Sequence, residues 1–243
     1  PFVLMLFGWG IPFYIAAGIV VVVYLLDSLY GERRDRSILF WRSMPVSDTQ
    51  TVLAKLMVGL VIVPLGTFLF AAVTSVVASG ILALRHHVLV NGQAPPPWQA
   101  LTWLRVQIGM LYGLIAVLLW YAPYATYLIL ASAWAKRSPY AWAFVPPVLL
   151  AIVEYMLFST NYLGRIVQRG FEQLVSLAFN LDLQLAFSFG DTVVPAGTAP
   201  DTGLQQRLLP SRLLESPQLW LGLVASVLML VLAIRLRRYR DDS

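Results

Sequence analysis

Residues Gly31–Lys55 read GERRDRSILFWRSMPVSDTQTVLAK. Charges cluster here between two long apolar segments, and an amphipathic pattern follows at once. The flanking segments, Phe2–Leu26 and Leu56–Leu84, carry no charged residue. Each exceeds the ~20 residues that a helix needs to cross hydrocarbon. The stretch therefore reads as a connection between two membrane helices, and as the place where a membrane part would meet something soluble.

Composition agrees. The chain is 59% hydrophobic and 12% charged, whereas soluble domains carry about 25% charged residues. A soluble core of this size could not hide so much apolar surface, so an integral membrane protein is expected. Five stretches reach spanning length: 2–26, 56–84, 108–134, 140–158 and 219–236. None has the alternation of a membrane β-strand. The predicted fold is all-α, a polytopic transmembrane helical bundle forming one domain over residues 1–243.

Lys and Arg in short loops favour the cytoplasmic side. Arg33, Arg34, Arg36, Arg42 and Lys55 lie in the connection 31–55, Lys136 and Arg137 follow the third span, and Arg235, Arg237, Arg238 and Arg240 end the fifth. These regions share one side if all five segments cross. Arg85 and Arg105 fall on the other, with Arg165, Arg169, Arg207 and Arg212 spread over a long external loop, 159–216. The bias predicts a multi-pass membrane protein with a cytoplasmic C-terminus. The net charge of +5 then reflects orientation. Membrane lipid is an expected partner and nucleic acid is not, because a membrane would separate the basic loops.

Five crossings would place Pro1 outside. A cleaved signal sequence fits; an upstream span, making six, is the preferred expectation. Trp103 and Trp134 are about 46 Å apart along a helix, close to a bilayer with its headgroup zones. Phe171–Phe189 is apolar but contains Glu172, Asn180 and Asp182. A charge near mid-span costs about 2.5–3.5 kcal/mol, so this segment is read as external amphipathic or re-entrant helix. Thr192–Gly203 has loop composition.

The connection has its own internal order. Glu32, Arg33, Arg34, Asp35 and Arg36 make a mixed-sign helix surface, and Ile38, Leu39, Phe40 and Trp41 an apolar group. Met44-Pro45-Val46 breaks the helix, since Pro disfavours helix at the residue before it. Ser47 or Asp48 can cap the next helix. By itself this describes an interfacial helix in a solvated loop.

The order of span, acidic-to-basic start, SILFWRSMPVSDTQTVLAK and second span resembles the ABC-2 family of ABC transporter permeases. The matching positions are Glu32, Ser37, Ile38, Ser43, Pro45, Val46, Ser47 and Lys55; Arg36 stands where many relatives have Gly. The closing stretch SPQLWLGLVASVLMLVLAIRLRRYRDDS also looks like the last span of bacterial members. The resemblance implies a six-span exporter subunit of the type V kind in a bacterial inner membrane, paired with a second permease subunit as homo- or heterodimer. It implies two copies of a separate ABC ATPase subunit holding ATP and Mg, and no cofactor in this chain. The coupling helix would then comprise Glu32, Arg33, Arg34, Asp35, Arg36, Ser37, Ile38, Leu39, Phe40, Trp41, Arg42, Ser43, Met44, Pro45 and Val46.

The chain contains no G-x-x-x-x-G-K-[ST], no H-E-x-x-H, no G-x-S-x-G and no cysteine. It cannot hold ATP by a P-loop, and it shows no nucleophile or metal constellation. Energy must come from a partner or an ion gradient, and no catalytic residue is expected. His86 and His87 are adjacent, so their side chains diverge, and no third metal ligand is apparent.

Glu154, an ionisable residue inside the fourth span, is a transport candidate by default; pairing with Arg165 or Arg105 is its structural alternative. It carries the rival reading, an ion-coupled secondary transporter, although the internal repeats usual in such proteins are not found. Gly109 and Gly113 form G-x-x-x-G in the third span, and Ala71, Ser75 and Ser79 a small-residue stripe in the second. Both are read as faces for close helix packing.

Overall fold

In hydrocarbon every backbone N–H and C=O must be satisfied within its own segment, so apolar runs of this length form helices. The computed structural model describes residues 2–35, 46–90, 100–159, 164–165 and 214–240. Helix α1 is Phe2–Arg34. Helix α2, Asp48–Met57, continues through a π-helical turn, Val58–Ile62, into α3, Val63–Val90. Helices α4, Ala100–Trp134, α5, Pro139–Phe158, and α6, Pro217–Arg240, follow. Among the described residues there is no strand. Among the same residues, five helical stretches are long and apolar enough to cross a membrane: Pro12–Arg34, Asp48–Ile81, Trp103–Trp134, Pro139–Phe158 and Pro217–Tyr239. The expectations for Phe171–Phe189 and Thr192–Gly203 lie outside the described residues.

The helix ends have local causes. Ser47 is the N-cap of α2: its hydroxyl accepts from Gln50 N, and the Gln50 side chain accepts from Ser47 N. This reciprocal box satisfies two otherwise orphaned donors. Ser138 caps α5 from Ala141 N, with Pro139 opening the helix, where its missing N–H costs nothing. The short turn between α4 and α5 makes them antiparallel neighbours. Ser159 ends α5 with φ 50°, and its N–H donates to Tyr155 O.

α1 runs past Leu26 and Asp27 to Arg34, longer than the apolar run. Its last turns are held by polar partners, described below, which remove the need to end at the first charge. Helix α4 is the central element: it has the most buried span, packs along α6, α1 and α5, and touches α3. The core combines large residues (Leu25, Leu26, Val52, Ile129) with small ones (Ala125, Ala131, Ala133, Ala233). Small residues let helix backbones approach when lipid gives no hydrophobic drive. A Cβ on Gly222 of α6 would lie 3.2 Å from Pro123 Cγ of α4. Pro123 leaves a carbonyl in α4 without its usual donor, and the Thr126 hydroxyl points to Ala122 O and Pro123 O, 3.0 Å each.

The outer faces remain apolar. Ile15, Ile19 and Val20 on α1, Leu69, Phe70 and Val73 on α3, Met156 and Leu157 on α5, and Leu221 and Val224 on α6 are all exposed. So broad an apolar belt on helices of spanning length is the surface that lipid covers.

Candidate functional site at the charged end of the bundle

The C-terminal ends of α1, α4 and α6 and the N-terminal ends of α2 and α5 meet at one end of the bundle. On α1, Ser28 and Glu32 are four residues apart and share a face. On α2, Asp48, Val52 and Lys55 also share a face, with Val52 fully buried between the two charges. These faces enclose Arg237 of α6, whose side chain is 6% exposed.

Four charges come together there. Lys55 Nζ is 2.6 Å from Glu32 Oε1 and also donates to Ser28 O. Arg237 Nη2 is 3.2 Å from Glu32 Oε2, and its Nε is 3.2 Å from Asp48 Oδ1. Two cations and two anions balance, which is the condition for holding charge out of water. The fit is incomplete: Arg237 Nη1 and Nε are both buried without a hydrogen-bond acceptor, so Nε meets Asp48 as an ion contact and not as a hydrogen bond.

A second set of contacts fastens α1 to α4. Arg33 donates to Ser132 O, Ala133 O and Ala135 O at 2.5, 2.9 and 3.2 Å. The carbonyls of Ser132 and Ala133 belong to the last turn of α4 and that of Ala135 follows it directly, where helical partners run out and positive charge is favoured. The fully buried Ser132 hydroxyl accepts from Leu29 N and Tyr30 N, both at 3.1 Å. The Tyr30 hydroxyl donates to Arg137 O at 2.5 Å.

Among the residues expected to form a coupling helix, Glu32 and Arg33 thus face the bundle. Arg34 and Asp35 form an exposed ion pair, with side chains 58% and 63% accessible, and pairs of that kind contribute little stability. Val46 is exposed. Arg36, Ser37, Ile38, Leu39, Phe40, Trp41, Arg42, Ser43, Met44 and Pro45 lie outside the described residues. Glu154 is partly buried near the end of α5, far along the chain from the charge cluster.

The packing residues divide. Ala71, Ser75 and Ser79 are all buried on α3. Ser75 is also a polar junction, its Oγ accepting from Trp103 Nε1 at 2.9 Å and Gln107 Nε2 at 3.4 Å on α4. Gly113 is buried. Gly109 is buried too, yet a Cβ there would meet nothing within 4 Å, so no close approach depends on it. The tight approach is at Gly59, where a Cβ would fall 2.7 Å from Leu25 Cδ2.

Sequence reasoning assigned Arg237 to membrane orientation and missed its two carboxylate partners. The available signal was opposite charge at span ends predicted to share a side. Nothing in the sequence singled out Ser132. Among the described residues, no three His, Cys, Asp or Glu side chains group as metal ligands.

No family model matches the chain, and neither a curated protein nor a solved structure matches it.

Proposed function

We propose that this chain is the membrane-spanning permease subunit of an ATP-driven exporter of the ABC-2 type, coupled to a separate ATPase through the α1–α2 connection. One observation carries the reading beyond the motif itself. Glu32 and Lys55, the first and last charged residues of the motif, form a 2.6 Å ion pair. The pair closes the base of the connection on the bundle. The described residues nearest the intervening stretch (Arg34, Asp35 and Val46) are exposed. That is the arrangement a docking segment needs: anchored at its base and accessible beyond it.

In this reading two permease subunits and two ATPases form the working unit. ATP and Mg bind in the partner, and closure of the ATPases displaces the connection and changes the bundle from inward- to outward-open. Phe40 and Trp41 are the anchor candidates, because large aromatics dominate small interfaces. Glu32 is excluded from the test set, since its carboxylate serves the intramolecular cluster.

The test asks whether a neighbouring gene encodes a P-loop ATPase and whether that ATPase co-purifies with this chain, followed by transport-coupled hydrolysis. The Phe40→Ala, Trp41→Ala double variant is expected to lose about 2–4 kcal/mol of partner affinity, or to hydrolyse ATP without transport. Normal assembly and normal coupling in the double variant would overturn the reading.

A further inference from the structure

Arg237 touches both ends of the α1–α2 connection. Nη2 meets Glu32 on the last turn of α1, and Nε meets Asp48 on the first turn of α2. One side chain of the C-terminal helix therefore bridges the base of the connection. The planar guanidinium suits this, because it presents donors along two edges in a fixed geometry.

Anchoring in the membrane does not require this arrangement. Arg235 and Arg238, on the same helix end, are exposed, as expected of arginines that keep their heads in water. Nor is stability a sufficient reason, since desolvation offsets most of the attraction in a buried ion cluster. Nη1 and Nε are both left without a hydrogen-bond acceptor, so the two carboxylates hold Arg237 by charge and not by a full set of hydrogen bonds. The bridge does have one clear consequence: neither end of the connection can shift without moving α6 or breaking an ion contact to Arg237. Helix α6 in turn packs lengthwise on α4, the central helix, with Gly222 against Pro123.

We propose that Arg237 is the positioning residue that passes motion of the α1–α2 connection to the C-terminal helix. Force applied at the connection then reaches α6, and through it α4, as well as the two helices that the connection joins covalently. The proposal rests on the exporter reading for the source of the motion. The mechanical tie does not depend on it.

Two arms separate these claims. In the first, the naturally cysteine-free chain in lipid nanodiscs, without any partner, carries spin labels on Val46 and Tyr239, or on Asp35 and Tyr239. All three positions are exposed. Each pair is expected to give one narrow distance peak. Asp48→Asn, at a side chain 42% accessible, removes only the α2 contact, so the narrow Val46–Tyr239 peak is lost and the Asp35–Tyr239 peak remains. Arg237→Gln loses both, and Arg238→Gln loses neither. If Arg237→Gln does not fold, the Asp48→Asn pattern still decides. Survival of the Val46–Tyr239 peak in Asp48→Asn, or its loss in Arg238→Gln, overturns the tie.

In the second arm, Asp48→Asn assembled with the ATPase is expected to hydrolyse ATP with loss of transport. Wild-type transport by that variant overturns the proposal. Failure of the unsubstituted chain to bind any ATPase defeats the exporter reading instead, and leaves the distance result standing.

Discussion

Glu32 lies within reach of cations from two other helices, Lys55 at 2.6 Å and Arg237 at 3.2 Å. Neutralising it leaves those cations facing each other in a poorly solvated site. Breaking a buried pair from one side costs about 3–5 kcal/mol. The cluster sits at the end of the bundle, with 16% of the Lys55 side chain and 11% of the Glu32 side chain accessible. Glu32→Gln is therefore expected near the lower limit, about 3 kcal/mol. Lys55→Met should cost less, because Arg237 still faces the carboxylate. In the double variant the two effects should fall short of additive by about 1–2 kcal/mol. Thermal unfolding of the four proteins in nanodiscs measures this cycle, and strict additivity would show that the pair is not formed in the membrane.

The α2–α3 helix changes pitch where it meets α1. The π-helical turn Val58–Ile62 inserts extra backbone there, and Gly59 presents no side chain to the fully buried Leu25. Single π-turns inside α-helices are rare, recur at functional sites and are one of the causes of helix kinks. A methyl group at Gly59 would meet Leu25 Cδ2 at 2.7 Å and Cγ at 3.0 Å. Leu25 is flexible at its tip, but its surroundings are packed, so Gly59→Ala is expected to cost about 1–3 kcal/mol. Gly109→Ala should cost far less, because its Cβ would stand in open space. The same unfolding measurement compares the two, and equal losses would contradict the packing described. The comparison also shows what the sequence pattern could convey. G-x-x-x-G is visible as spacing, yet Gly59, where a Cβ would run into Leu25, lies outside that motif.

At the level of the bundle, the C-terminal ends of α1, α4 and α6 meet at one end through side-chain contacts. With the charge bias of the loops, this predicts that cysteines placed at Val46, Lys136 and Tyr239 label from one side of the membrane and a cysteine at Asn91 from the other. An impermeant thiol reagent on intact cells and on inverted vesicles tests it. The first three should react only in inverted vesicles. Labelling of Tyr239→Cys from outside intact cells would reverse the assigned orientation.

Hydropathy belongs to each segment separately, so the helical class and the five apolar stretches of spanning length are legible residue by residue. The cap of α2 was narrowed to Ser47 or Asp48, and local geometry decided for Ser47, which leaves the Asp48 carboxylate to Arg237. The extension of α1 past Asp27 was not legible, because the groups that hold its last turns are carbonyls of α4. Nor was the cluster of Glu32, Asp48, Lys55 and Arg237. Its members lie near opposite ends of the chain, and each alone reads as an ordinary interfacial charge. Their partners are chosen by how three helices pack, and that choice depends on contacts between segments that no single segment contains.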